Sequence, residues 1–354
     1  MAKGANVDKL ASEFRDELYS LGYRVSDLER KQDNVTITGD IRAHFAALSG
    51  LSSKARVYNS NRTEKIRSRL TFNGMVNDNW DYVGRIENNH DFDTQNLKTT
   101  DSQERTYFQN AYLQGRLGGL YVKAGRFDLV RDADGNIYDN RFDGFAVSYG
   151  RKYKIGGYYG KPTAFDSTKM PVRLVTGSVV DNEGWTKSYG VNLTAELGKT
   201  LTLATGYDSF VDNENGFSDN HIFDVGLKYR SGKVALGLSG FKSDSDTAKN
   251  TSGMVASFKY NRLSAKIPHT WDFVASYYKL GDGVNIVHTM NGDANLFTER
   301  YKDISGGGFK GFQVGVHYAL AKNVVLGLEH YNLKGIDNKA FTAKTFWSEL
   351  HFYF

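Results

Sequence analysis

At 354 residues the chain has room for two soluble domains or one large β-barrel, and 45 basic against 40 acidic residues, a formal charge of +5, leave no global footprint for nucleic acid. The absence of cysteine excludes a disulfide framework, a thiolate nucleophile and a cysteine-based zinc or iron–sulfur site. Mean hydropathy is −0.50 and no apolar run reaches the roughly 18 residues that a membrane-spanning helix needs, which excludes helical spans but not strands, whose alternation averages to a polar value.

The opening "MAKGANVDKL" lacks the apolar core of a signal peptide, so the expectation is that the sequence begins downstream of a targeting segment. Val7, Phe14, Leu21 and Leu28 then recur every seven residues, with Ala11, Leu18 and Val25 four after each of the first three. This is the a/d seam of a coiled coil, and Arg24 at g and Glu29 at e form a suitable interchain pair. Residues 1–33 are therefore read as a helical, self-associating stalk. The alternative is one amphipathic helix packed on its own protein; Gly22 weakens either helix by about 1 kcal/mol relative to Ala.

From residue 34 to 354 the period is two. Ile37, Ile41, Ala43 and Phe45 oppose Thr36, Thr38, Asp40, Arg42 and His44; further on, Phe223, Val225, Leu227 and Tyr229 oppose Asp224, Gly226, Lys228 and Arg230. Such segments fall at 35–48, 64–77, 80–91, 104–117, 119–127, 142–150, 153–161, 185–198, 200–210, 220–231, 233–242, 251–262, 270–280, 309–320, 323–333 and 341–354. Together they predict an all-β, 16-stranded antiparallel transmembrane barrel, rich in aromatics (22 Tyr, 22 Phe) and glycine (37) and poor in proline (3), as long twisted strands and tight turns require. Short links alternate with long ones at 49–63, 92–103, 128–141, 162–184, 211–219, 243–250, 281–308 and 334–340, as in a membrane barrel with short turns at one rim. The stalk and the C-terminus lie on the short-turn side, expected to be periplasmic. Trp80, Trp185 and Trp271 sit at strand starts on the apolar parity, where an interfacial girdle is expected.

The chain ends "FTAKTFWSELHFYF", with Phe346, Leu350, Phe352 and Phe354 on one face and Ser348 departing from the pattern. This resembles the C-terminal signal that the barrel assembly machinery reads in bacterial outer-membrane proteins. The stretch "NVDKLASEFRDELYSLGYRVSDLERKQDNVTITGDIR" is similar to the OmpM-type porins of diderm Firmicutes (Negativicutes), in which an S-layer homology domain is followed by a helical stalk and a porin barrel. The resemblance implies a homotrimer among outer-membrane lipid and lipopolysaccharide. It also implies a tether to peptidoglycan through the S-layer homology domain, which is missing from these residues.

On the polar parity, Arg42, Lys65, Arg67, Arg69 and Arg85, with Arg116 and Lys123 nearby, would make a basic lumen wall, since such charges cost a few kcal/mol near the midplane of a lipid face. Arg126 points outward by parity, although a twist at Gly125 would turn it in. The link after the fifth strand, "DLVRDADGNIYDNRFDG", holds Asp128, Asp132, Asp134, Asp139 and Asp143, and lies where sixteen-stranded porins fold their third loop into the pore. An acidic loop facing a basic wall would set a transverse field at a constriction; the alternatives are an ordinary exposed loop and solvated charges without a selective role. "DADGNIYD" hints at calcium or magnesium within 128–141, but Gly135 is fourth from Asp132 where an EF-hand has its glycine sixth. "GGGFKG" (306–311) precedes an alternating strand rather than a helix, and no nucleophile elbow or zinc-protease motif occurs. The expected function is a non-enzymatic general diffusion porin, against a substrate-specific channel, a plugged tether or adhesin, and a barrel enzyme.

Overall fold

In a computed structural model, the structure describes residues 34–50, 61–92, 104–132, 134–163, 172–173, 179–180, 185–211, 219–297 and 307–354, with single positions 14, 15, 17 and 19. The stalk seam at Val7, Ala11, Leu18, Leu21, Val25 and Leu28 lies outside the described residues; Phe14 is described and exposed.

The strands are β1 (Val35–Gly50), β2 (Arg62–Asn77), β3 (Trp80–Asp91), β4 (Glu104–Leu117), β5 (Leu120–Arg131), β6 (Tyr138–Gly150), β7 (Tyr153–Pro162), β8 (Val172–Arg173), β9 (Val179–Val180), β10 (Lys187–Leu197), β11 (Leu201–Val211), β12 (Asn220–Ser231), β13 (Val234–Ser243), β14 (Ser252–Asn261), β15 (Trp271–Leu280), β16 (Phe309–Ala321), β17 (Val324–Gly335) and β18 (Thr342–Tyr353). The short β8 and β9 pair with each other, and the other sixteen close into one barrel in which each pairs antiparallel with its chain neighbour and β1 pairs with β18. Closure leaves no edge strand to template aggregation. The last residue completes it: Gly39 N donates to Phe354 O at 2.8 Å, and Phe354 N donates back to Gly39 O at 3.0 Å.

Alternation sets the two faces. Phe223, Val225, Leu227 and Tyr229 of β12, Leu236 and Leu238 of β13 and Phe312 of β16 are all exposed on the outside, each forgoing about 1.5–3 kcal/mol of burial if left in water. A continuous apolar belt of this kind faces lipid. No helix among the described residues is long and apolar enough to cross a membrane; strands make the barrel. Phe346, Phe352 and Phe354 are exposed on the same outer parity.

The core lies inside the barrel, toward the long-loop ends of the strands. Phe210, Ile222, Leu280, Phe309 and Leu333 face inward there and are fully buried. They pack on Val284, Ile286 and Phe297 from the segment after β15, which ends in a 3-10 turn at Ala294–Phe297. Trp185 belongs to this interior cluster, its ring 5.9 Å from that of Phe210, which corrects its expected place in the girdle; an indole at the barrel mouth gains more from packing there than from the interface. Trp271 is exposed against Tyr260.

A second departure is at β5 and β6. They extend to Arg131 and from Tyr138, so Asp128 and Asp139 lie on strands rather than in a loop of 128–141, and Asp143 lies on β6, within the segment expected at 142–150. The last β4–β5 pair is Ala111↔Arg126 and the last β6–β7 pair is Phe142↔Pro162, whereas β5 and β6 stay paired to Arg131↔Tyr138. The hairpin tip has therefore left the wall. It leaves at a row of glycines in register, Gly125↔Gly144↔Gly160. Gly125 has φ +124°, and a Cβ on Gly144 would lie 2.2 Å from the Tyr159 carbonyl oxygen. The tip's backbone finds new partners: Ile286 N and Val287 N donate to Ile137 O at 3.0 and 3.2 Å, and Asp139 N donates to Val287 O at 3.0 Å.

Gly144→Val should cost about 1–3 kcal/mol, read as a lower temperature for loss of the compact, heat-modifiable band on a gel. Val at Gly240, where a Cβ meets only Val225 Cγ1 at 4.0 Å, should leave that temperature nearly unchanged; equal shifts would contradict the hinge.

Candidate functional site in the barrel lumen

The inner wall of β1–β3 and β18 carries the expected basic residues, and each lies beside a carboxylate. Arg67 reaches Asp40 at 3.0 Å, Arg69 reaches Glu87 at 2.5 Å, Lys65 reaches Asp91 at 3.3 Å and Arg42 lies 3.7 Å from Glu349, its guanidinium 5.3 Å from the Trp347 ring centroid. Arg42 and Arg67 are directly opposite in register, an arrangement that like charges tolerate only with such carboxylates around them. His351 Nε2 sits 2.8 Å from Asp40 as well. Arg116 is exposed at the short-turn end of β4, and Lys123 rests 5.5 Å from the ring centroid of Tyr112.

The hairpin tip presents two faces. Phe127, Leu129, Tyr138 and Phe142 pack into the interior cluster. On the same side Arg131 forms a bidentate pair with Asp208 of β11, donating from Nε to Oδ1 and from Nη2 to Oδ2 at 3.2 Å; Tyr158 OH also donates to Asp208, at 2.7 Å. Both charges are buried, so removing either would strand its partner at a cost of about 3–5 kcal/mol. The opposite face carries Asp128, which accepts from Arg85 of β3 at 2.5 Å and from Asn110 at 3.2 Å, and Arg141, 5.3 Å from the Tyr107 ring centroid. The tip is thus fastened at both sides of the lumen.

The five predicted carboxylates part company. Asp134 accepts from Lys228 of β12 at 2.5 Å, and Asp139 accepts from the Thr289 hydroxyl. Asp132 accepts from Asn136 N at 2.6 Å and Asn136 Nδ2 at 2.9 Å, closing its own turn. Asp143 is held by Arg126 in a bidentate pair at 2.6 and 2.5 Å, in register on the side of the sheet that bears the exposed Phe145. This corrects the expectation for both: a carboxylate directly opposite keeps Arg126 on its outward parity, and the twist at Gly125 turns the residues beyond it. Among the described residues no group of three acidic or histidine side chains is placed to hold a metal ion.

Sequence reasoning missed Arg131, Asp208 and the segment 281–297. Signals existed: Asp208 and Asp224 fall on the inward parity of adjacent strands, and "VNIV" (284–287) is an apolar run inside a link that would otherwise be bathed in water. Beneath the tip, a cavity of about 310 Å³ is lined by Val130, Arg131, Asp132, Asn192, Asp224 and Lys228 among others. Carboxylate, arginine and lysine heads share its lining with aliphatic side chains, and it adjoins the turn that begins at Asp132.

Burial pushes the Asp132 carboxyl up to about 6, against the Asn136 hydrogen bonds, which pull it down. A raised folded value means that its contribution to stability is complete below the usual carboxylate range and is lost as the pH rises through about 6. Acidification through that window should neutralise Asp132 beside the cavity, whose lining also holds the carboxyl of Asp224, and move the reversal potential in a salt gradient toward anions. Asp132→Asn should reduce this dependence and Asp132→Asn/Asp224→Asn should flatten it; an unchanged pH profile in the double variant would assign the titration elsewhere.

No family model matches the chain, and no curated protein does. Solved structures do. A multiply substituted Rh. blastica porin superposes with a TM-score of 0.55 at 14% identity, and a triple mutant of Rhodopseudomonas blastica porin with 0.55 at 13%. A structure described under "Asymmetric conductivity of engineered proteins" gives 0.56 at 14%. Each match covers 90% of this chain and 100% of the other. Identities this low show the fold, and the fold is that of a porin.

Proposed function

We propose that the chain is an outer-membrane diffusion channel for ions and small hydrophilic solutes. The observation that carries this reading is the pairing of an apolar outer belt with an inner wall of closely paired charges, a surface that suits an aqueous lumen. Transport on this reading needs no covalent chemistry. Solutes pass between the arginine-bearing wall and the hairpin tip, and the Arg85–Asp128 contact marks the line where the two approach most closely. Because the lumen arginines have carboxylates within 2.5–3.7 Å, fields alternate over short distances and ionic preference is weak.

The likeness to OmpM-type porins supports finer points. The channel would be a homotrimer, with residues 1–33 forming a periplasmic stalk and the final phenylalanine read by the assembly machinery. In a longer parent, an S-layer homology domain would supply the tether to peptidoglycan.

A second reading is favoured by one observation. The apolar cluster built on 281–297 and the hairpin fills part of the interior, as a closed structural barrel would require. Single-channel recording in a planar bilayer separates the two. Ohmic steps closing in three equal levels are expected for the trimeric channel; silence from protein whose insertion is confirmed by heat-modifiability would favour the closed barrel.

A further inference from the structure

The barrel's outer surface carries basic residues at the long-loop rim, and most have partners. Arg126 pairs with Asp143, His221 with Asp244 at 2.9 Å, Lys187 lies over the Tyr159 ring at 4.9 Å, and Lys242 donates to Thr251 at 2.9 Å. Three lysines differ. Lys279 of β15, Lys310 of β16 and Lys334 of β17 are directly opposite one another in register, Lys279↔Lys310↔Lys334, and none has a carboxylate within ion-pair distance among the described residues. Lys344 of β18 sits one diagonal step from Lys334, which pairs with Thr342.

All four face outward. They share parity with the exposed Tyr277, Phe312 and Phe346, whereas Tyr278, Leu280, Phe309 and Leu333 on the other parity are buried inside. Tyr277↔Phe312 is the next outward row below Lys279↔Lys310, so the lysines cap the apolar belt where lipid gives way to headgroups. Directly opposed like charges on adjacent strands, with Cα atoms only about 5 Å apart, destabilise a sheet. An anion held from outside the chain would relieve a row of three.

We propose that this row binds the phosphate groups of a phosphorylated lipid of the outer leaflet. Phosphate supplies several acceptor oxygens and more than one negative charge to ammonium groups spaced by the strand repeat. A lipid headgroup, rather than a free anion, fits because the lysines lie on the lipid-facing parity and one row above its aromatic edge. The assignment rests on the reading above only in placing the long loops on the outer side of the membrane.

The test is native mass spectrometry and thermal unfolding of the full chain in detergent, with a bisphosphorylated disaccharide lipid as probe. Its dephosphorylated form and inorganic phosphate serve as separate arms. Wild type should retain the phosphorylated lipid at least about tenfold more than Lys279→Gln/Lys310→Gln/Lys334→Gln, and only wild type should gain thermal stability from it. Without lipid, the triple variant should be the more stable of the two, because the repulsion is gone. Equal retention by the variant, or equal retention of the dephosphorylated lipid, would overturn the proposal. Protection by inorganic phosphate matching that by lipid would overturn the lipid as occupant. Conductance of the triple variant should equal that of wild type; a silent wild type would defeat the channel reading while leaving the lipid measurement to stand or fall by itself.

Discussion

A closed sheet spends every backbone donor and acceptor on its neighbours, so a segment can leave the wall only where the chain can bend and only if new partners await it. Here the bend is the Gly125, Gly144 and Gly160 row, and the partners are the backbone of Ile286 and Val287 together with the carboxylate of Asp208. The position of the hairpin inside the barrel follows from these two facts. So does the placing of the apolar cluster against strands from β7 through β17, across the lumen from the arginine-bearing wall of β1–β3 and β18.

The charged side is a wall of close pairs rather than a field between separated layers. Arg67 with Asp40 and Arg69 with Glu87 bridge neighbouring strands and stiffen the wall. Arg85 with Asp128 and Lys228 with Asp134 instead join the wall to the hairpin from opposite sides. The same physics operates outside the barrel with the opposite outcome. At the Lys279, Lys310 and Lys334 row no carboxylate answers the charge among the described residues, which is the basis of the proposed phosphate contact.

Much of this was legible in the sequence, because lipid on one side and water on the other force a period of two over every strand. The limits read for β3, β4 and β12 coincide with those observed, and all sixteen barrel strands were anticipated. Alternation loses its meaning where both faces are dry. Leu280, Phe309 and Leu333 are apolar on the inward parity because 281–297 packs against them, and Trp185 is drawn inside for the same reason. At the hairpin the polar run from Asp132 to Asn136 made 128–141 read as one long loop, since acidic residues and glycine signal turns; paired strands instead carry Asp128 and Asp139 on either side of a shorter turn. Arg131 and Asp208 lie 77 positions apart, and nothing local couples them.

The central claim is that the hairpin tip stands in the path of the current. The chain holds no cysteine, so a single one at Val130, exposed within the lumen beside the cavity, reports on that path alone. A charged methanethiosulfonate reagent should reach Val130→Cys from the aqueous phase and reduce every single-channel step, while Leu238→Cys on the lipid-facing surface should leave the steps unaltered. Complete modification of Val130→Cys with undiminished current would contradict a hairpin in the conducting lumen.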